Sequence, residues 1–305
     1  MIEARSLCRQ FGQFRAVDDL SFTVEPGQVL GFLGPNGAGK STTMKMLTGF
    51  LAPSSGTALI RGHDIIRDSL AARRSIGYLP EGAPSYGEMT VLQFLEFVAR
   101  ARGIDAAERS GALDRVVGQL QLNGVLHQPI ETLSKGFRRR VGLAQAIMHD
   151  PPILILDEPT DGLDPNQKHE VRVLIQQMSS DKIIVISTHI LEEVAAVCNR
   201  VMIIVNGCLL ADDTPAGLIA RSRYHDAVTM VVDEAEKVAS VLSELPEVAQ
   251  AELSEGELTV FPASDGLFEA VSGAIARNDW KVHQLRLEAG RFDEVFREIT
   301  QAPKT

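Results

Sequence analysis

Nine consecutive residues, Gly34-Pro35-Asn36-Gly37-Ala38-Gly39-Lys40-Ser41-Thr42, meet the pattern G-x-x-x-x-G-K-[ST] at every fixed position. Both flanks suit it. Gln28 to Leu33 is a short apolar run that reads as a buried strand. Ser41 to Thr48 reads as a helix that opens on small polar residues. Glycines let the backbone turn sharply, so several N–H groups converge on one anion. The helix N-terminus adds its partial positive charge. The motif therefore predicts bound phosphates, with Lys40 reaching the β- and γ-phosphates and the Ser41 hydroxyl on Mg²⁺.

Around this unit, buried strands and helices alternate. Ile2 to Arg9, Leu20 to Val24, Gly56 to Ile60, Ile153 to Leu156 and Ile183 to Ser187 read as strands. Arg67 to Arg74 reads as a helix leading to Ile76-Gly77-Tyr78. Thr90 and Gln93 form a capping-box pattern ahead of a helix from Val91 to Arg102. Asp105 can cap a second helix reaching about Leu120. Asp164-Pro165 opens another, with proline in the first helical position. Val201 to Val205 and Cys208 to Ala211 flank Asn206-Gly207, a two-residue hairpin turn. The alternation predicts a largely parallel α/β core.

From Tyr224 the pattern changes to strand, helix, strand, strand, helix, strand and a last helix, which suggests a ferredoxin-like α+β unit. The expected division is 1–223 and 224–305, with residues 82–132 as a helical insert. The second unit shows no catalytic cluster.

Charge and cysteine content narrow the function classes. Net charge is −10, and from Tyr224 onward 16 Asp and Glu stand against 7 Lys and Arg. An acidic tail argues against gripping nucleic acid or anionic lipid, and no nucleic-acid partner is expected. Cys8, Cys198 and Cys208 are scattered and odd in number, which suits reduced thiols rather than a disulfide framework. Glu3 and Arg5 interrupt the N-terminus, so no signal peptide is expected. No apolar run approaches the ~20 residues of a membrane span.

Two further stretches carry chemistry. Ile153-Leu154-Ile155-Leu156-Asp157-Glu158 is an apolar strand ending in two carboxylates. Beside a phosphate loop, Asp157 suits the metal or its water shell, and Glu158 suits orienting an attacking water. Leu133-Ser134-Lys135-Gly136-Phe137-Arg138 precedes a helix expected from Arg139 to Met148. A serine and glycine at a helix start form either an ordinary cap or a second anion cup. Arg138 to Arg140 read as a solvated basic run.

The set resembles the nucleotide-binding subunits of ABC transporters. Ser134 and Gly136 fall on the LSGGQ signature of that family, Tyr78-Leu79-Pro80-Glu81 resembles its Q-loop, and Pro159 to Asp164 resembles its D-loop. Ser187-Thr188-His189 resembles its switch histidine, and Phe11-Gly12 lies where an adenine-stacking aromatic is often placed. The resemblance spans about Ile2 to Leu218, with the motifs in family order. It implies a P-loop NTPase fold of the ABC type that binds ATP and Mg²⁺. Catalytic roles fall to Lys40, Glu158 and His189. Nucleotide contacts fall to Phe11, Gly34 to Thr42, Ser134 and Gly136, and metal contacts to Ser41, Glu81 and Asp157.

Lys135 and Phe137 replace a glycine and a glutamine of the signature, Glu81 replaces the Q-loop glutamine, and Phe11 replaces a tyrosine. These variants resemble the branch that drives ABC-2-type exporters, including gliding-motility-like and multidrug-export-like ATPases. The implied partners are an ABC-2-type membrane permease and a second copy of the chain across ATP. The implied location is the cytoplasmic face of the plasma membrane, held there by the permease. DNA-repair ATPases with these motifs insert a long coiled coil where this chain has only Gly82 to Leu133, without sustained heptads. Ribosome-associated ABC factors carry two phosphate loops, and this chain has one. A nucleotide-regulated binding module with slow turnover remains an alternative.

Overall fold

The structure, a computed structural model, describes residues 1–301. It divides into two compact units, Met1–Thr214 and Pro215–Thr305. The last four residues of the expected second unit lie outside the described residues.

The first unit is built on two sheets. Strands β1 (Ile2–Phe11), β2 (Phe14–Val24), β4 (Ser55–Ile60) and β5 (His63–Asp64) form an antiparallel sheet in the order β2-β1-β4-β5. Strands β3 (Val29–Leu33), β6 (Ile76–Leu79), β7 (Ile153–Asp157), β8 (Ile183–Thr188), β9 (Arg200–Val205) and β10 (Cys208–Asp213) form the other, ordered β10-β9-β3-β8-β7-β6. Its pairs are parallel except β9 with β10. Every residue of β3, β7 and β8 is buried, as expected of parallel strands covered on both faces.

Helix α1 (Lys40–Leu47) contributes Met44, Met46 and Leu47 to the core between the two sheets. Phe22 and Phe32 join the sheets edge to face, with centroids 5.2 Å apart. Helix α2 (Ser69–Arg74) connects β5 of the first sheet to β6 of the second, and α3 (Val91–Ala101), α4 (Ala106–Gln119), α5 (Lys135–Ile147), α6 (Pro165–Met178) and α7 (Leu191–Val197) lie between successive strands of the second. The expected helical insert contains α3 and α4. The Asn206-Gly207 turn has both residues at positive φ, 51° and 79°, the geometry of a tight hairpin.

In the second unit, α8 (Pro215–Ile219) precedes β11 (His225–Val232), α9 (Ala235–Leu242), β12 (Val248–Ser254), β13 (Glu257–Pro262), α10 (Leu267–Asn278), β14 (Val282–Ala289) and α11 (Phe292–Gln301). The antiparallel sheet runs β12-β13-β11-β14, and α9 and α10 supply Val238, Leu242, Leu267 and Val271 to its core. The unit begins at Pro215, before the expected break at 223/224. Buried Leu218 of α8 packs against α11, and Ser222 and Arg223 both bond Glu294 of that helix. The intervening segment therefore belongs with the second core.

Three expectations need correction. Helix α5 starts at Lys135 rather than Arg139, because the Ser134 hydroxyl accepts the Phe137 N–H and makes Ser134 the N-cap. Strand β2 begins at Phe14 rather than Leu20. It pairs through irregular register with β1, so its polar residues Arg15, Asp18 and Asp19 do not end it. Asp105 occupies the N-cap of α4, but its side chain makes no capping bond.

The Thr90 capping box does form. The Thr90 hydroxyl accepts the Gln93 N–H at 3.2 Å, and Gln93 Oε1 accepts the Thr90 N–H at 3.0 Å. Thr90→Ala should lose about 1 kcal/mol of stability, and Thr90→Ser should retain most of it. Urea denaturation followed by circular dichroism measures both.

Candidate functional site

Parallel pairing brings the carboxyl ends of β3, β6, β7 and β8 to one edge of the sheet. Leu33 pairs with Thr188, Asp157 with Ser187, and Leu79 with Leu156. The segments that follow these strands carry Gly34 to Lys40, Glu81, Glu158 and His189. Such an edge is the usual place for ligands in open α/β sheets.

The phosphate loop leaves no room for side chains at two of its glycines. A Cβ on Gly34 would lie 2.2 Å from the Ile204 carbonyl oxygen, and one on Gly39 would lie 2.4 Å from that of Ala16. Gly39 also has a φ of 105° and precedes α1, which has no side-chain cap. The loop is held from outside as well, because the Gly207 N–H donates to the Ala38 carbonyl at 2.9 Å.

Lys40 is only 7% exposed. Its ammonium donates to the carbonyls of Gly34 at 2.6 Å and Pro35 at 3.2 Å. Burial pulls its pKa below the usual lysine value, while Glu158, Asp157 and Glu81 pull the other way.

Asp157 is fully buried. Its Oδ1 accepts hydroxyls from Ser41, at 3.2 Å, and from Ser187. Its Oδ2 is buried without a hydrogen-bond partner. A buried carboxylate oxygen cannot remain unsatisfied cheaply. Together with the neighbouring Ser41 hydroxyl it is an oxygen donor set that fits Mg²⁺. Among the described residues no group of three or more His, Cys, Asp and Glu could hold a metal. A Mg²⁺ here would thus depend on one or two carboxylates and on phosphate oxygens.

Glu158 sits in the left-handed region at φ 51°. Its N–H donates to the Ser187 carbonyl at 2.9 Å, and its carboxylate meets His189 Nδ1 at 2.9 Å. The two side chains expected to act on the γ-phosphate are therefore in contact. Behind them lies Glu193 of α7, buried, which accepts the Thr160 and Thr188 hydroxyls and pairs with Lys168 at 3.1 Å. It ties the segment after Glu158 to the residue before His189.

A cleft of about 300 Å³ is lined by Phe11, Phe14, Ala16, Asn36 to Thr42, Glu81 and Glu158. Gly34 and Pro35 do not line it; their carbonyls hold Lys40 instead. Phe11 pairs with Phe14 across the β1–β2 turn, and both rings are largely exposed. The Arg9 guanidinium lies 4.6 Å from the Phe11 ring centroid. Phe14 thus shares the place expected for Phe11 alone.

Ser134 and Gly136 do not line this cleft. Ser134 is exposed at the start of α5. Gly136 packs against the Gln167 side chain: a Cβ there would lie 2.5 Å from Gln167 Oε1, so that amide would have to move. The expected solvated run is corrected too: Arg139 and Arg140 are 3% and 8% exposed. Arg140 pairs with Glu170 at 2.7 Å, and Arg139 donates to the Glu158 and Pro80 carbonyls. Phe14, Glu193 and Arg139 were not expected at the site. Arg139 bonds carbonyls 19 and 59 residues away and Glu193 bonds Thr160 33 residues away, so no local motif marked them, and Phe14 is hidden by the irregular pairing of β1 with β2.

The family profile described as ABC transporter matches residues 17–161. The Nod factor export ATP-binding protein I of Cupriavidus metallidurans is 34% identical over 248 residues, covering 81% of this chain and 82% of that protein. The chain belongs to the ABC transporter ATP-binding proteins. The probable multidrug ABC transporter ATP-binding protein YbhF of Escherichia coli is 37% identical over 236 residues, which is 77% of this chain. The chain spans 41% of the length of that relative. A solved ATP binding subunit of an ABC transporter superposes with a TM-score of 0.67 at 30% identity, over 72% of this chain and 91% of its own. A dimeric ATP-binding cassette bound to ADP and Pi shares the fold, at a TM-score of 0.66 and 21% identity, over 70% of this chain and 99% of its own.

Gly34→Ala should cost more than Gly37→Ala. The first meets a carbonyl oxygen, whereas a Cβ at Gly37 meets nothing within 4 Å and suffers only from its φ of 79°. The expected loss of affinity is about tenfold or more for Gly34→Ala, against a few-fold for Gly37→Ala, where only the positive φ opposes the change. Titration with a fluorescent ATP analogue ranks them.

Proposed function

We propose that this chain is the ATP-hydrolysing motor subunit of an ABC-2-type exporter, working as a homodimer with ATP between the copies. The observation that carries the reading is the convergence of the phosphate loop, Asp157, Glu158 and His189 on one sheet edge.

Phosphates entering the loop would compete with the Gly34 and Pro35 carbonyls for the Lys40 ammonium. Phe11 and Phe14 offer π-faces to the base. Ser41 and Asp157 would hold Mg²⁺, with Glu81 at the cleft wall as a further oxygen donor. When bound, the metal neutralises charge on the β- and γ-oxygens. Glu158 takes the proton of the attacking water as the bond to the γ-phosphorus forms and the bond to the ADP oxygen breaks. His189 fixes the direction of the Glu158 carboxylate through their 2.9 Å contact and would meet the γ-phosphate when nucleotide is bound.

Ser134 and Gly136 stand apart from the cleft of their own chain, which supports a nucleotide site completed by the partner's signature segment. The helical part presents Tyr86 and Phe97, both exposed, stacked edge to face at 5.6 Å. This apolar patch suits a membrane subunit. Among the described residues no helix is long and apolar enough to cross a membrane, so the reading places the pathway in that separate subunit, with this chain peripheral at the cytoplasmic face. The names of the relatives, which speak of multidrug and Nod factor export, support an exporter. The second unit holds none of the proposed site residues and is read as an accessory domain.

Glu158→Gln should retain ATP binding and slow hydrolysis by at least about a hundredfold. Size-exclusion chromatography with Mg-ATP should then show a persistent dimer. Turnover at the wild-type rate from a monomer would remove Glu158 from the role of base.

Sharing of the site can be tested by complementation. Lys40→Ala and Ser134→Arg should each be inactive alone. A mixed dimer holds one site with both lesions and one with neither, so single-turnover hydrolysis should recover to at most about half the wild-type amplitude. Crosslinked mixed dimers without hydrolysis would show that each site is completed within one chain.

A further inference from the structure

Arg139 lies in the middle of the charged run Arg138 to Arg140, yet it is 3% exposed. Burying a guanidinium is costly unless its donors are satisfied. Its Nη2 donates to the Glu158 carbonyl, and its Nη1 points at the Pro80 carbonyl at 3.4 Å. Those carbonyls belong to the two segments that bring Glu158 and Glu81 to the cleft. Burial lowers its pKa, and the charges of Asp161, Glu158, Asp157 and Glu81 oppose that shift. Arg139 thus shares with Lys40 the field of Glu158, Asp157 and Glu81.

Glu158 needs such a hold. Its φ of 51° is unfavourable for a residue with a side chain, and it persists only when the surroundings impose it. The Ser187 carbonyl takes its N–H, and Arg139 takes its C=O. Peptide groups fixed on both sides aim the carboxylate at His189. Arg139 stands on α5, the helix capped by Ser134. The element that displays Ser134 and Gly136 therefore also carries the tether to Glu158 of its own chain.

We propose that Arg139 is a positioning residue that couples the seating of the α5 N-terminus on the partner copy's nucleotide to the alignment of Glu158 in its own cleft. The inference rests on the hydrolytic reading above. The two ends of the coupling are Ser134 at the helix start and the Glu158 carbonyl beneath the helix. The side chain acts on the reaction only through Glu158. A lysine would keep the charge but could not span both carbonyls with a planar fork.

The test uses the full chain with Arg139→Met and Arg139→Lys, and Arg139→Gln should Arg139→Met fail to fold. Steady-state ATP hydrolysis gives kcat, KM and the Hill coefficient. Titration with a fluorescent ATP analogue gives nucleotide affinity, and thermal melting checks folding. The wild type should hydrolyse ATP with a Hill coefficient above one. Arg139→Met, or Arg139→Gln in its place, should lower kcat by at least about tenfold, leave affinity within about threefold, and bring the Hill coefficient to one. Arg139→Lys should fall between the two. Unchanged kcat and Hill coefficient would overturn the inference, as would kcat and affinity falling together with a lowered melting temperature. A folded wild type that binds but does not hydrolyse ATP would overturn the hydrolytic reading and this inference with it. Normal wild-type turnover matched by the variants overturns the inference alone.

Discussion

A carboxylate buried without exposure, with one oxygen bonded twice and the other left open, sets the conditions at this site. Asp157 ends a strand whose five residues are all buried. It accepts hydroxyls from Ser41 on the helix after the phosphate loop and from Ser187 on the neighbouring strand. Those two bonds stitch the carboxyl-terminal ends of β7 and β8 to the first turn of α1. A buried charge of this kind is expensive, and the free oxygen keeps part of that cost unrecovered until a cation arrives. Lys40 is restrained in a comparable way, parked on loop carbonyls rather than in water. Both groups are held ready by the fold rather than recruited from solvent.

Legibility in the sequence followed the range of the interactions. The strand, turn and helix of the phosphate loop, the strands of uninterrupted apolar residues, the capping box at Thr90 and the helix start at Asp164-Pro165 depend on neighbours within a few positions, and the structure contains them. Glu158 and His189 were readable as members of separate motifs. Their mutual hydrogen bond was not, because it joins residues from the ends of two strands. The burial of Arg139 and Arg140 was hidden by the general rule that charge runs face solvent. That rule fails here because backbone carbonyls and Glu170, contributed by distant segments, supply the missing solvation. The irregular pairing of β1 with β2 hid Phe14 for a related reason: bulges break the alternation on which strand reading relies.

Glycine placement separates two kinds of constraint. Gly34 and Gly39 are required because a backbone carbonyl occupies the space a side chain would need. Gly37 has open space around it and is constrained only through its backbone angle. The phosphate loop is thus tight where it meets Ile204 and Ala16, and more tolerant where it faces the cleft. An identical motif on a looser scaffold would have the same letters without the same rigidity.

The place of β3 in its sheet bears on how the chain is made. The strand that delivers the phosphate loop pairs with β8 on one side and β9 on the other, and the loop itself is bonded by Gly207. All three partners lie more than 140 residues downstream of the loop. During synthesis the motif therefore leaves the ribosome as a bare apolar strand and a glycine turn, with nothing to pair against. Its geometry is completed only when the hairpin of β9 and β10 has emerged, so nucleotide can stabilise the nascent first unit only at the end of its production. Until then the unpaired edges of β3 are open to aberrant pairing.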